Sequence, residues 1–354
     1  MTVPDFATAV PLTNPRPNAI AGVATKTVAR NTALDFTKGA LVLFMVLYHW
    51  LNYFHGQHGT VFRYLRFLPP SFIFITGFLV SNAYLAKYQL TDPRLPKRLV
   101  VRGLKLLGVF VFLNLAISFV FFGFRNLNAT TLWAVYGTGN VAVAGSGKAA
   151  AFYILVPISY LLLLSAGLLI LCRVYRHTFY LVLTLSLISI FGLSLYGLGS
   201  SNLELVSIGL MGLIVGYFPI EKINAAVRHP IPIVTLYLIY TVAITLREPN
   251  YVGQFVGVVL TLMLIYLLGI SDGGPRTLRN QIVLLGKYPL FGYIAQIAIL
   301  QLLYAALRKL ELPMIALLLS LVAGVVLTFL AVKTVDWARS RSSMVDSLYK
   351  GVFA

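Results

Sequence analysis

Ten apolar stretches, at about residues 34–54, 68–87, 99–123, 151–172, 178–198, 203–219, 231–247, 252–270, 281–307 and 312–336, occupy most of this 354-residue chain. About 20 apolar residues in a helix cross a bilayer. Inside hydrocarbon only helices and closed barrels satisfy their own backbone hydrogen bonds. None of the ten stretches alternates apolar and polar residues as a lipid-facing strand does. The pattern predicts an all-α, polytopic membrane bundle of about ten transmembrane helices. Composition agrees, with 11% charged residues against about 25% in soluble domains.

Charge orients the bundle. With the N-terminus in the cytoplasm, 21 of the 28 basic residues fall on the inner segments. That asymmetry follows the positive-inside rule and predicts two cytoplasmic termini. The net charge of +18 then reflects basic loops facing anionic headgroups of the bilayer, and no nucleic-acid partner is expected. The first thirty residues, with Pro4, Pro11, Pro15 and Pro17, have no signal-peptide pattern. Residues 1–33 are expected to be a cytoplasmic tail, 34–337 the membrane domain, and 338–354 a basic tail on the membrane surface. A single cysteine, Cys172, excludes an internal disulfide.

The first span, LDFTKGALVLFMVLYHWLNYF, carries Asp35, Lys38, His49 and Asn52. Ionisable groups at bilayer depth face a bundle interior or a wet cavity. At about 100° per residue, the eleven steps from Lys38 to His49 return almost to the same azimuth, and Asp35 and Asn52 lie within about 60° of it. One polar stripe results. Lys38 and His49 stand roughly 16 Å apart along it, so the stripe predicts that both look into one hollow from different depths.

Further polar positions follow. Ser71, Thr76, Gly77, Ser81 and Asn82 give the second span small and polar sites for close packing. Arg98, Arg102 and Lys105 belong to the densest basic cluster and continue into the third span, where arginine suits a phosphate-bearing ligand. Residues 124–150 form a long outer loop that could cover a site, and Glu204 is the acid of the middle spans that could reach one. In the ninth span, Pro289 predicts a bend beside Tyr293 and Gln296. No Walker loop, HExxH or GxSxG motif occurs. His49, His55 and His58 have no carboxylate or cysteine close by in the sequence, so no metal is expected.

The chain resembles the membrane acyltransferase type 3 family. That family opens with D-x-x-R-G and a histidine eleven positions after the arginine; Asp35, Lys38, Gly39 and His49 stand at those places. Its F-F-x-x-S-G-F core is matched by Phe72, Phe74, Thr76, Gly77 and Phe78, and its R-x-x-x-R by Arg98 and Arg102. Lys38 departs from the family's arginine, and Gln296 from a late histidine. The likeness is strong over about residues 34–105. A second likeness, of the segment RGLKLLGVFVFLN to heparan-glucosaminide N-acetyltransferase-like membrane proteins, would shift the key histidine to His55 or His58.

The resemblance implies transfer of a short acyl group, acetyl above all, from cytoplasmic acyl-CoA to a hydroxyl or amine of a glycan or lipid-linked sugar in a bacterial inner membrane. His49 would be general base, and Lys38, further along the same stripe, would pair with Asp35 or hold phosphate or a developing negative charge. Arg98, Arg102 and Lys105 would hold the CoA, and Asn52, His55, His58, Thr76 and Gln296 the acceptor. The residues alone also fit a transporter or flippase for an anionic or lipid-linked solute, with His49 relaying a proton.

Overall fold

A computed structural model of the chain describes residues 31–55, 61–88, 92–117, 119, 129–139, 151–172, 176–198, 200–247, 250–271, 275–307 and 313–353. His58, the first thirty residues and most of the expected outer loop at 124–150 lie outside this set. Helix α1 (Thr32–Phe54) is followed by α2 (Phe62–Leu65) and α3 (Leu68–Leu79). A π-helical turn (Val80–Tyr84) joins α3 to α4 (Leu85–Lys87). Next come α5 (Arg94–Ile117), α6 (Ala129–Leu132), α7 (Leu155–Leu171), α8 (Arg176–Leu195), α9 (Ser201–Val215) and α10 (Ile220–Val227). The remainder is α11 (Pro230–Leu246), α12 (Tyr251–Ile270), α13 (Arg276–Lys287), α14 (Pro289–Leu307), α15 (Met314–Arg341) and α16 (Ser343–Phe353).

Among the described residues there is no strand, and seven helices are long and apolar enough to cross a membrane. They are α1, the continuous Phe62–Tyr84 segment, α5, most of α8, α12, α14 and most of α15. Helices α9 and α10, with a 100° bend between them, are long and apolar enough only as a pair, and counting that pair as one span gives eight. Helices α7 and α11 are apolar but have only 17 residues each. Among the described residues the chain is thus an all-α membrane protein, and each of the ten apolar stretches has most of its described residues in helices.

Local sequence explains the boundaries. Asn31 caps α1 by accepting the Leu34 amide at 3.1 Å, and Asp35 sits in the first turn, where a negative charge suits the helix dipole. Prolines occupy the first positions of α3 and α11, where the missing N–H is not needed. The ninth apolar stretch is not one bent helix. It breaks at Tyr288 (φ −124°, ψ 46°), and Pro289 starts α14 rather than interrupting a helix.

Helix α1 is central and packs on α3, α12, α13, α14 and α15. Its contact with α13 is made backbone to backbone: a Cβ on Gly39 would lie 1.8 Å from the Ile282 carbonyl oxygen, and one on Gly286 would lie 1.7 Å from that of Asp35. Helices α3 and α9 meet in the same way through Gly77, Gly209 and Gly212. Without a hydrophobic drive between helices in lipid, such close approach supplies the packing and dispersion energy. The outer helices expose large apolar side chains, among them Leu181 and Ile188 of α8 and Leu236 and Ile239 of α11. An apolar surface of that extent is the face a membrane protein turns to hydrocarbon.

Candidate functional site

The polar stripe of α1 begins with a buried ion pair. Lys38 Nζ lies 2.6 Å from Asp35 Oδ1, and the two side chains are 15% and 4% exposed. Asp35 is in the segment of α1 that Gly286 touches, so the carboxylate is fixed by helix packing as well as by charge. A carboxylate this deep needs its cation, because removing one partner leaves a desolvated charge behind.

Lys38 lines a cavity of about 420 Å³. Its lining is strongly basic: Lys38, Arg102, Lys105, Lys287, Arg339 and Lys350 all contribute, and no acidic residue among those described lines it. The rest of the lining is largely apolar and comes from Phe72, Ile75, Thr76 and Leu79 of α3, from Ile158 and Leu162 of α7, and from Leu290 and Tyr293 of α14. A second, shallower basic hollow lies alongside, lined by Tyr84, Tyr88, Arg94, Lys97, Arg98, Arg102 and Lys105. Tyr84, Arg102 and Lys105 belong to both. The two arginines are held on aromatic faces. Arg102 donates to the Tyr84 hydroxyl, with its guanidinium 5.5 Å from that ring's centre. Arg98 does the same with Tyr88, at 5.4 Å. Such stacking orients a planar fork without consuming all five donors.

His49 is placed differently from expectation. It does not line the cavity, but its ring contacts Tyr293, which does. The centre of the Tyr293 ring is 6.2 Å from that of His49, 6.2 Å from Phe72 and 6.0 Å from Phe152. The single open hollow expected for Lys38 and His49 is therefore not found: Lys38 lines the cavity, whereas His49 contacts a residue of its wall, Tyr293 of α14, which packs on α1. Tyr48 and Tyr53 flank the imidazole on its own helix, at 5.3 and 6.3 Å. Phe152 adopts a left-handed backbone (φ 58°) although it is not glycine. That conformation costs of order 1–3 kcal/mol, and it seats the ring that backs Tyr293.

One turn further along each helix stand two amides, Asn52 past His49 and half-buried, Gln296 past Tyr293 and buried. Asn52 Oδ1 and both polar atoms of Gln296 are buried without a protein hydrogen-bond partner among the described residues, and Gln296 is wholly inaccessible. Orphaned buried amides are uncommon and call for an explanation.

The remaining candidates separate. Thr76 is on the cavity wall, with its hydroxyl donating to the Phe72 carbonyl at 2.8 Å. Arg98 reaches only the outer hollow. His55 caps the end of α1 and is exposed, and His58 is outside the described residues. Glu204 accepts a hydrogen bond from Ser194 Oγ at 2.8 Å and lines neither hollow. Of the outer loop, residues 129–139 are described. There the Tyr136 carbonyl accepts the Tyr160 hydroxyl and the Asn202 amide, at 2.7 and 3.2 Å. Among the described residues no cluster of His, Cys, Asp and Glu could hold a metal.

The C-terminal segment supplies what sequence reading missed. Instead of lying apart as a surface tail, α16 packs against α15 and touches α5, and it brings Tyr349, Lys350, Val352 and Phe353 to the lining of the cavity. Lys105 Nζ donates to the Lys350 carbonyl at 3.3 Å. Burial pushes the Tyr349 hydroxyl up to about 12, so that hydroxyl stays protonated at neutral pH beside the charged Lys350. The amphipathic spacing of Val345, Leu348, Tyr349, Val352 and Phe353 was the available signal. No family model, curated protein or solved structure matches this chain.

Proposed function

We propose that the chain is an integral membrane acyltransferase of about ten crossings, with both termini cytoplasmic. It moves a short acyl group, acetyl above all, from acyl-CoA to a hydroxyl or amine of a glycan or lipid-linked sugar in a bacterial inner membrane. One observation carries this reading: a cavity lined by six cations is also walled by the tyrosine whose ring contacts His49. CoA is a polyphosphate joined to a long, largely uncharged arm, and the cavity offers both cations and apolar wall. Its phosphates would meet Arg98, Arg102 and Lys105, while the arm runs between α3, α7 and α14 toward Tyr293. Rotation of that ring would bring the thioester to His49, roughly 16 Å along α1 from Lys38.

The chemistry then needs one base. His49 takes the proton of the acceptor hydroxyl or amine. The freed lone pair attacks the thioester carbonyl carbon, the carbon–sulfur bond breaks, and the CoA thiolate leaves and takes up a proton. An imidazole of ordinary pKa near 6.5 suits the first step. Lys38, held by Asp35, supplies positive charge on the donor side. Asn52 and Gln296, one turn past His49 and Tyr293, would take the acceptor's polar groups, and Thr76 stands on the donor wall. With labelled acetyl-CoA and purified protein, label release or transfer that disappears in His49→Ala supports the enzyme. Full turnover in that variant overturns His49 as base.

The 100° bend between α9 and α10 and the break at Tyr288 favour a second reading. Interrupted helices at two places in one bundle are what a transporter site requires. In that case His49 relays a proton and an anionic or lipid-linked solute crosses. Solute flux in liposomes, with no CoA binding, would select it.

A further inference from the structure

The last helix holds a carboxylate against cations that line the cavity. Helix α15 ends at Arg341, Ser342 is extended (φ −132°, ψ 118°), and α16 folds back. Asp346 Oδ1 accepts both Arg339 Nη2, at 2.6 Å, and Arg339 Nε, at 2.9 Å, while Oδ2 lies 2.5 Å from Lys350 Nζ. Arg339 and Lys350 are both cavity-lining residues. A carboxylate that takes a guanidinium through two donors and an ammonium through a third occupies these cations as a phosphate group would.

The seat of α16 is light. None of its residues is fully buried. It is held by this ion-pair network, by the Tyr349 ring under the Arg339 guanidinium at 4.1 Å, and by contacts of Phe353 with Phe291 at 5.8 Å and of Tyr349 with Tyr288 at 5.4 Å. Ion pairs this open to solvent are weak, because water screens them and two long side chains must be held in one geometry. An anion with several charges can therefore displace a single carboxylate from this place.

We propose that Asp346 is an internal competitor for the anionic ligand of the basic cavity, occupying Arg339 and Lys350 until a polyphosphate group replaces it. Helix α16 is then part of the binding site: its Lys350, with Arg339 of α15, extends the cation set beyond the α5 arginines. This rests on the cavity taking an anion such as the CoA of the proposed donor.

The test is titration calorimetry on the full chain in nanodiscs, with CoA and with inorganic pyrophosphate as separate probes. Asp346→Asn should bind about three- to tenfold more tightly than the parent, the range that one or two such ion pairs allow. Lys350→Gln should bind more weakly. Glu221→Gln, an equal change of charge on α10, should leave affinity unchanged. If Asp346 serves only to seat α16, Asp346→Asn will bind more weakly or equally, and the proposal is overturned. Asp346→Ala repeats the measurement should the first variant fold poorly. A gain with pyrophosphate when CoA does not bind keeps the competitor and removes the donor reading. Parent binding of CoA with no gain in either variant removes the competitor alone. Failure of both probes to bind removes both.

Discussion

The ring of Tyr293 contacts the imidazole of His49 at 6.2 Å between centres and also lines the cavity that Lys38 lines. In the proposed reaction Tyr293 is a gate, and this can be tested without an assay of turnover. Tyr293→Ala removes the barrier and leaves space, at a cost of about 3–5 kcal/mol. Tyr293→Phe keeps the ring. Modification of His49 by a small imidazole reagent, read at the peptide level by mass spectrometry, should be severalfold faster in Tyr293→Ala and unchanged in Tyr293→Phe. Equal rates in all three proteins would mean that the ring blocks nothing.

The stripe depends on how closely α13 approaches α1. A Cβ on Gly286 would stand 1.7 Å from the Asp35 carbonyl oxygen, and backbone cannot yield as a side chain can. Gly286→Ala should destabilise the protein by about 1–3 kcal/mol or more and disturb the Asp35–Lys38 pair. Gly167 of α7 has nothing within 4 Å of its Cβ position, so Gly167→Ala should stabilise by about 0.5–1 kcal/mol through helix propensity. Thermal melting in detergent checks both signs. A tolerated alanine at 286 would show that the helices can part there.

Much of this architecture is written in the chain, because hydrophobic length is a local property. Most of the described residues in each of the ten apolar stretches are helical, and the periodicity of α1 set Asp35 and Lys38 together on one side, where they pair at 2.6 Å. What periodicity could not supply is what another helix inserts. It gave the azimuth of His49 but not the ring of Tyr293, which arrives from a helix about 240 positions later in the sequence. Pro289 signalled a disturbance, yet whether proline bends a helix or begins one depends on the residue before it; here Tyr288 leaves the helical region. The packing of α16 was missed for a related reason. Basic residues near an apolar span read as a surface tail until a partner for their aromatic face is known, and that partner includes Tyr288 and Phe291.

Arg98 and Arg102 look equivalent in sequence, one helical turn apart on α5. In space they differ. Arg102 lines both the cavity and the outer hollow, and Arg98 only the latter. Arg102→Ala should lower CoA affinity about ten- to a hundredfold, the loss of a charge-assisted contact inside the site, and Arg98→Ala only severalfold. Calorimetry on the two single variants decides. The reverse order would place the phosphates in the outer hollow alone.

Gln296 separates a structural from a binding role by the sign of its effect on stability. Its amide is wholly buried, with neither polar atom bonded to protein among the described residues. An unsatisfied buried polar group costs about 1–3 kcal/mol. Gln296→Met, of similar volume, should therefore raise the melting temperature. If the amide meets the acceptor, the same variant should raise the KM for acceptor while leaving donor binding intact. A lower melting temperature would show that Gln296 has partners that hold the bundle together.

The contribution of the C-terminal helix should depend on acid in one direction. Lys350, and after it Arg339, hold the Asp346 carboxyl below the usual carboxylate range. A carboxyl whose folded pKa is depressed stabilises the fold fully above its unfolded value, near 3.9, and loses that contribution as pH falls through the folded value. The difference in melting temperature between the parent and Asp346→Asn should therefore be constant from about pH 8 down to about pH 5, then shrink below about pH 4. Any disappearance nearer neutrality would have to come from another group, because no histidine lies in this network: Asp346 faces Arg339 and Lys350, and the adjoining ring is Tyr349, whose own hydroxyl titrates only near 12.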